Sequence, residues 1–339
     1  MKKIRVGFVG FWSHFVKEEF IGVCALRQNY EVEIMSDARD ADYVFYSIMG
    51  DEHWFLPPET IKIFYTGENL CPDFNACDYA IGFEWLDYGD RYIRLANYYG
   101  TPYYRGQTAK FEQRYESSLS SEELHRLFSN RNFCSFVVSN MEGNSIRKQL
   151  FDALNRYKTV DSGGRWMNNV GGAVDDKIAF ESRHKFSIAC ENSSHPGYTT
   201  EKIVEAFAAR TIPIYWGDPE IGRVFNPKAF VNVMDYPSID AVVQRVVELD
   251  NDEKAYQAML QEPALLEPQE DSLKTQMEKM VVFMQHIVEQ PLDKAQRYNR
   301  VFWGQRYLER ERSLITASRK NWKDLLKDTV RRKLERFNK

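Results

Sequence analysis

Short apolar runs broken by polar turns dominate the first third of the chain: Ile4 to Gly10, Tyr43 to Ile48, Ile61 to Tyr65 and Tyr79 to Gly82. Runs of this length with turn residues on either side predict buried strands, and the spacing leaves room for helices between some of them. After a polar stretch from Ser117 to Asn132 the pattern resumes with strands predicted at Phe133 to Val138, Phe186 to Cys190, Ile212 to Trp216 and Phe230 to Val233. Three- and four-residue apolar periodicity predicts helices at Ile146 to Tyr157 and Glu201 to Arg210. Beyond Pro237 the pattern is helical almost to the end. Strands alternating with helices imply parallel sheets in two α/β units, with boundaries at 1–130 and 131–300; the helices from about 300 are expected to pack back on the first unit.

Composition supports a folded two-domain protein: 339 residues are 43% hydrophobic and 14% aromatic. A net charge of −4 gives no nucleic-acid signature. That charge is unevenly placed. Arg319 to Lys339 holds nine Lys or Arg against three acidic residues, a net of +6 that leaves the rest at −10. Its Trp322, Leu325, Leu326, Val330, Leu334 and Phe337 recur at helical spacing, so 313–339 reads as a basic amphipathic tail, suited either to an anionic membrane surface or to packing on its own domain. Cys24, Cys71, Cys77, Cys134 and Cys190 lack the spacing of a zinc or disulfide framework and read as reduced thiols in a cytoplasmic setting. No run reaches the ~20 apolar residues of a membrane span, and the start is too interrupted for an export signal. Gly7 to Gly10 lacks the spacing of a dinucleotide fingerprint.

The segment Glu191-Asn192-Ser193-Ser194-His195-Pro196-Gly197-Tyr198-Thr199-Thr200-Glu201-Lys202 joins a predicted strand to a predicted helix. In an open parallel sheet such a loop lines the ligand crevice, and a helix starting at Thr199 or Thr200 would aim free N–H groups at an anion. An unpaired Lys202 so near a helix start opposes the helix dipole, which a bound phosphate would explain. An ordinary charged first turn is the alternative.

Extended through Asp218-Pro219, Phe225-Asn226-Pro227 and Phe230-Val231-Asn232, this segment resembles the donor signature of the α-1,3/4-fucosyltransferase family of bacteria and animals. Two earlier blocks agree in order: Phe64-Tyr65-Thr66-Gly67-Glu68-Asn69 with Asp78 to Phe83, and Val137 to Asn140 with Arg147, Tyr157-Lys158 and Val160 to Gly164. The resemblance implies a GT-B fold, two Rossmann-like domains facing a cleft with C-terminal helices. It implies inverting transfer of L-fucose from GDP-fucose to the 3-hydroxyl of GlcNAc or glucose in an N-acetyllactosamine- or lactose-type acceptor. It also implies Glu68 as catalytic base and Arg147, Asn192, Tyr198, Glu201 and Lys202 as donor-binding residues. Another nucleotide sugar on the same fold, or a non-catalytic glycan-binding protein, are the alternatives. Asp175-Asp176 is not a spaced Asp-x-Asp pair, so no metal site and no obligatory cation is expected, although Mn²⁺ could stimulate. His195 is left without a role. A cytoplasmic enzyme visiting the inner membrane to modify lipopolysaccharide-type acceptors fits the tail.

Overall fold

The structure is a computed structural model. It describes residues 1–115, 119–268 and 270–337; the side chains of 104, 114, 115, 320, 321 and 323–337 are outside the description. Strands β1 (Lys3–Val9), β2 (Glu31–Ile34), β3 (Tyr43–Tyr46), β4 (Ile61–Tyr65), β5 (Tyr79–Gly82) and β6 (Tyr92–Arg94) form one parallel sheet in the order 2-1-3-4-5-6. Strands β7 (Asn132–Phe136), β8 (Val160–Ser162), β9 (His184–Cys190), β10 (Ile212–Trp216) and β11 (Val231–Asn232) form a second, ordered 11-10-9-7-8. All pairings within both sheets are parallel. Each sheet therefore reverses direction between its first and third strands, which is the doubly wound topology of the GT-B fold.

Central strands are buried along their whole length, as in β3, β4 and β9, because helices cover both faces. The strands absent from the sequence reading are at or near edges. In β2, Glu31 and Glu33 alternate with half-buried Val32 and Ile34, and charge on an edge strand blocks pairing with another chain. β8 has three residues and β6 ends in Arg94.

Eleven α-helices are named in chain order: α1 (Ile21–Leu26), α2 (Pro102–Tyr115), α3 (Ser121–Ser129), α4 (Ile146–Tyr157), α5 (Lys177–Glu181), α6 (Glu201–Ala208), α7 (Ile239–Asn251), α8 (Glu253–Gln261), α9 (Leu273–Glu289), α10 (Leu292–Ala295) and α11 (Phe302–Phe337). The polar stretch between the two units contains α3, whose start is fixed by a reciprocal Ser120–Glu123 capping box. Helix α2 joins the two domains: Tyr103 Oη donates to Glu205 Oε1 (2.9 Å) on α6, and Phe111 packs on Phe207.

The chain crosses back to the first domain before α9, earlier than the expected position near 300. Helix α9 packs on α1, and the Lys2 ammonium donates to the Val288 carbonyl at 2.8 Å. Arg300 then pairs with fully buried Asp78 at 2.9 Å, and Tyr307 donates to Asp73 at 2.8 Å. Helix α11 begins along this domain, with Arg319 on Asp51. Trp322 is exposed, while the side chains of Leu325, Leu326, Val330, Leu334 and Phe337 of the proposed membrane stripe are outside the description. Among the described residues no helix is long and apolar enough to cross a membrane.

Acid stability of the first domain should depend on His53. It is 9% exposed, stacks on Tyr46 with ring centroids 4.2 Å apart, and its Nδ1 has no hydrogen-bond partner among the described residues. Burial, helped by the charge of Lys62, pulls its pKa down to about 3. Between that value and the unfolded value of about 6.5, the unfolded chain holds a proton that the folded chain refuses, so stability falls as pH falls through this window. The loss by pH 3 is on the order of 3–5 kcal/mol. His53→Phe keeps the stacking, and thermal unfolding between pH 4 and 7 should lose most of its acid-side slope.

Candidate active site

The two reversal points face one another across the cleft. On the first domain, the loops after β1, β3 and β4 carry Trp12 and Phe15, Met49, and Glu68; on the second, α6 contributes Glu201. These side chains line one cavity of about 660 Å³, within the usual size range for small-ligand sites. Between the two domains Asn69 Nδ2 donates to Ser193 Oγ at 2.7 Å, and Phe83 meets Tyr198 edge to face with centroids 5.1 Å apart. Gly197 makes this approach possible. Its φ is +82°, and a Cβ there would lie 2.5 Å from the Phe83 carbonyl oxygen.

Glu68 follows the buried strand β4 and is itself exposed. Its N–H donates to Thr66 Oγ1 at 3.1 Å, fixing the turn. No hydrogen bond to its carboxylate occurs among the described residues, which leaves it open to a group in the cavity. Burial and the charge of Glu191, with a smaller contribution from Glu68, hold the Tyr198 hydroxyl neutral against the opposing pull of Lys202.

Lys202 is not the unpaired cation expected. Its ammonium lies 3.0 Å from Glu191 Oε2, 2.9 Å from Thr200 Oγ1 and 3.5 Å from Glu201 Oε1. The dipole argument for a resident anion therefore falls: two carboxylates already neutralise this end of α6. The Thr200 N–H, expected to face a phosphate, donates to Glu191 Oε1 at 2.8 Å, while Thr200 Oγ1 lies 2.7 Å from Oε2. Burial lowers Lys202, but Glu191 and Glu201 more than offset it and hold the ammonium charged. Burial likewise pushes Glu201 up, and Lys202 and Lys177 reverse the sign, leaving it lowered.

Arg147, at the start of α4, is 1% exposed. Its guanidinium donates to Asn192 Oδ1 (3.1 Å) and to the carbonyls of Asn140 (3.2 Å) and Glu142 (2.9 Å), and its Nε is buried without a partner among the described residues. Burial lowers its pKa, partly offset by Cys190 and Glu191. The Glu191 carboxylate thus acts on both predicted cations, by contact with Lys202 and through its charge on Arg147. The structure brings Tyr198, Glu201 and Lys202 together opposite Glu68, and places Arg147 with Asn192 deeper, at the β7/β9 reversal.

Two residues that hold this loop carry no role in the sequence reading. Glu191 is fully buried and organises Thr200 and Lys202. Asp218, 2% exposed, accepts from the Gly197 N–H (2.9 Å) and Thr199 Oγ1 (3.0 Å). A carboxylate closing a strand end or following a Trp-Gly turn is their only sequence signal. All five cysteines are free, and burial with the adjacent Glu84 carboxyl pushes the Cys71 thiol up to about 12, too high for a nucleophile at neutral pH.

Residues 6–100 match the family model of the α-(1,3)-fucosyltransferase FucT N-terminal domain, and 128–309 match that of the glycosyltransferase family 10 (fucosyltransferase) C-terminal region. The α-(1,3)-fucosyltransferase FucT of Helicobacter pylori is 34% identical over 289 residues, 77% of this chain and 60% of that protein. The chain thus spans about three fifths of that relative's length. The cattle 3-galactosyl-N-acetylglucosaminide 4-α-L-fucosyltransferase FUT3 is 33% identical over 138 residues, 40% of this chain and 37% of its own. A crystal structure of an α1,3-fucosyltransferase superposes with a TM-score of 0.74 at 30% identity, covering 89% of this chain and 93% of that one. An α1,3-fucosyltransferase crystal structure with GDP-fucose gives 0.69 at 30% identity over 86% and 92%. With both domains matched in order, and the second match alone spanning more than half the chain, this protein belongs to glycosyltransferase family 10, the fucosyltransferases.

Proposed function

We propose that the protein transfers L-fucose from GDP-fucose to a sugar hydroxyl, with inversion at the fucose anomeric carbon. The observation that carries this reading is one cavity shared by an unengaged carboxylate, Glu68, and Glu201, which opens α6 beside Lys202 just after the loop that holds Tyr198. Family membership, and the GDP-fucose held by a relative of 30% identity, support the donor. In the proposed step Glu68 takes the acceptor hydroxyl proton while that oxygen bonds to the anomeric carbon. The bond from that carbon to the diphosphate oxygen breaks on the opposite face, and both its electrons leave with GDP. Arg147 and Lys202 stabilise the charge gathering there. Lys202 can do so only by sharing its ammonium between Glu191 and the diphosphate.

The proposed acceptor is the 3-hydroxyl of GlcNAc or glucose in an N-acetyllactosamine- or lactose-type glycan, including lipopolysaccharide-borne Lewis-type chains. No cation is required at the diphosphate in this scheme, and Mn²⁺ acts at most as a stimulant. Purified protein given GDP-fucose should release GDP only when N-acetyllactosamine or lactose is present. Release with GDP-mannose instead would reassign the donor, and GDP binding without release under any acceptor would favour a glycan-binding role. The net +6 tail further supports peripheral contact with an anionic membrane; removal of residues 319–339 should abolish flotation with phosphatidylglycerol vesicles, and undiminished flotation would refute it.

A further inference from the structure

His195, Cys71 and Glu84 come from three separate loops and meet at the mouth of the cleft. Cys71 follows β4, Glu84 follows β5, and His195 belongs to the loop after β9 on the other domain. One thiol sulfur, one carboxylate oxygen and one imidazole nitrogen lie within 4.8 Å of one another, and the sulfur is 3.9 Å from His195 Nε2. Around a tetrahedral zinc ion, with Zn–S about 2.3 Å and Zn–N about 2.0 Å, that sulfur and nitrogen would be about 3.5 Å apart. The group therefore needs only side-chain adjustments, of a few tenths of an ångström between sulfur and nitrogen and of up to about 1.5 Å to the carboxylate oxygen.

A second feature points to a ligand. Glu84 is 8% exposed, yet its Oε1 is buried with no hydrogen-bond partner among the described residues, while its Oε2 lies 3.2 Å from the Tyr92 hydroxyl. A buried carboxylate oxygen left without a donor is costly unless a cation or proton completes it. The Tyr92 contact to the other oxygen is the kind of outer support that orients a metal-binding carboxylate. Phe83 sits edge-on to the His195 ring with centroids 5.8 Å apart, which restricts how that ring turns.

We infer that Cys71, Glu84 and His195 form a site for one thiophilic divalent cation of the zinc class, bridging the two domains. A sulfur, nitrogen and oxygen donor set selects Zn²⁺ or Co²⁺ over Mg²⁺ and Mn²⁺. The site is therefore separate from any Mn²⁺ stimulation. Binding replaces the thiol proton with the metal–sulfur bond and leaves the fourth position to water. Because His195 lies three residues from both Asn192 and Tyr198, the ion ties the proposed donor loop to the domain that carries Glu68.

The test uses the full chain, reduced and stripped with a chelator, with Co²⁺ alone as probe. One equivalent should bring up a thiolate-to-cobalt charge-transfer band that Zn²⁺ abolishes and Mn²⁺ does not. Cys71→Ser should remove the band, and His195→Gln should weaken Zn²⁺ binding by at least roughly 10- to 100-fold, as even an outer partner's loss does. Cys24→Ser, at the other partly exposed thiol, should retain the band. A thermal melt confirms that each variant is folded. Absence of a band in the native protein, a band unchanged in Cys71→Ser, or Zn²⁺ affinity unchanged in folded His195→Gln would each overturn the site. None of these readouts requires transferase activity.

Discussion

Glu68→Gln should lower fucose transfer by ~10²–10⁴-fold, the range for removing a general base, while GDP binds as it does to the native protein. The amide keeps the shape and hydrogen-bonding span of the carboxylate but cannot take the acceptor proton. Because Glu68 is exposed and both of its described hydrogen bonds, from its N–H to Thr66 Oγ1 and from the Leu70 N–H to its carbonyl, are made by its backbone, the unfolding midpoint should hardly move. Glu201 is the competing carboxylate in the same cavity. It sits beside the Lys202 ammonium at 3.5 Å and under the charge of Lys177, which together leave it lowered despite burial. A carboxylate so stabilised as its anion is a poor proton acceptor. Steady-state GDP release by Glu68→Gln and Glu201→Gln separates the two: near-native turnover in the first, with loss in the second, would transfer the base to Glu201.

The sequence carries the interior of this molecule more openly than its margins. Ile61-Lys62-Ile63-Phe64-Tyr65 is β4 to the residue, because a strand covered on both faces must be almost continuously apolar. The same logic hides β2, where an edge strand alternates Glu with aliphatic residues and reads as polar. Helix α3 was marked by Ser120 and Glu123, three apart, a signal obscured by the charged residues around it. Among the proposed site residues, position at a strand's carboxyl end is legible for Glu68 and Asn192. What no periodicity reveals is pairing through a loop. Glu191 and Lys202 are eleven positions apart with an irregular turn between them, and Cys71 and His195 are 124 apart. The helix-dipole argument was sound for an isolated α6 and failed because Glu191 reaches that helix from the preceding strand.

That pairing makes Lys202 the position where a substitution should do the most combined damage. Lys202→Met removes the ammonium from Glu191, whose carboxylate is fully buried and keeps only the Thr200 N–H and hydroxyl. Stranding a buried charge in this way costs roughly 3–5 kcal/mol, so the variant should unfold several degrees lower as well as lose transfer. A drop in activity alone would then say nothing about the donor. The double substitution Lys202→Met with Glu191→Gln resolves this, because the neutral amide can still accept from the Thr200 N–H and no longer needs a counter-ion. It should recover most of the lost thermal stability. If Lys202 also stabilises the departing diphosphate, as proposed, transfer stays down by ~10²-fold or more despite the recovered fold. Recovery of turnover together with stability would show instead that Lys202 serves only to neutralise Glu191, and that Arg147 carries the diphosphate charge without it.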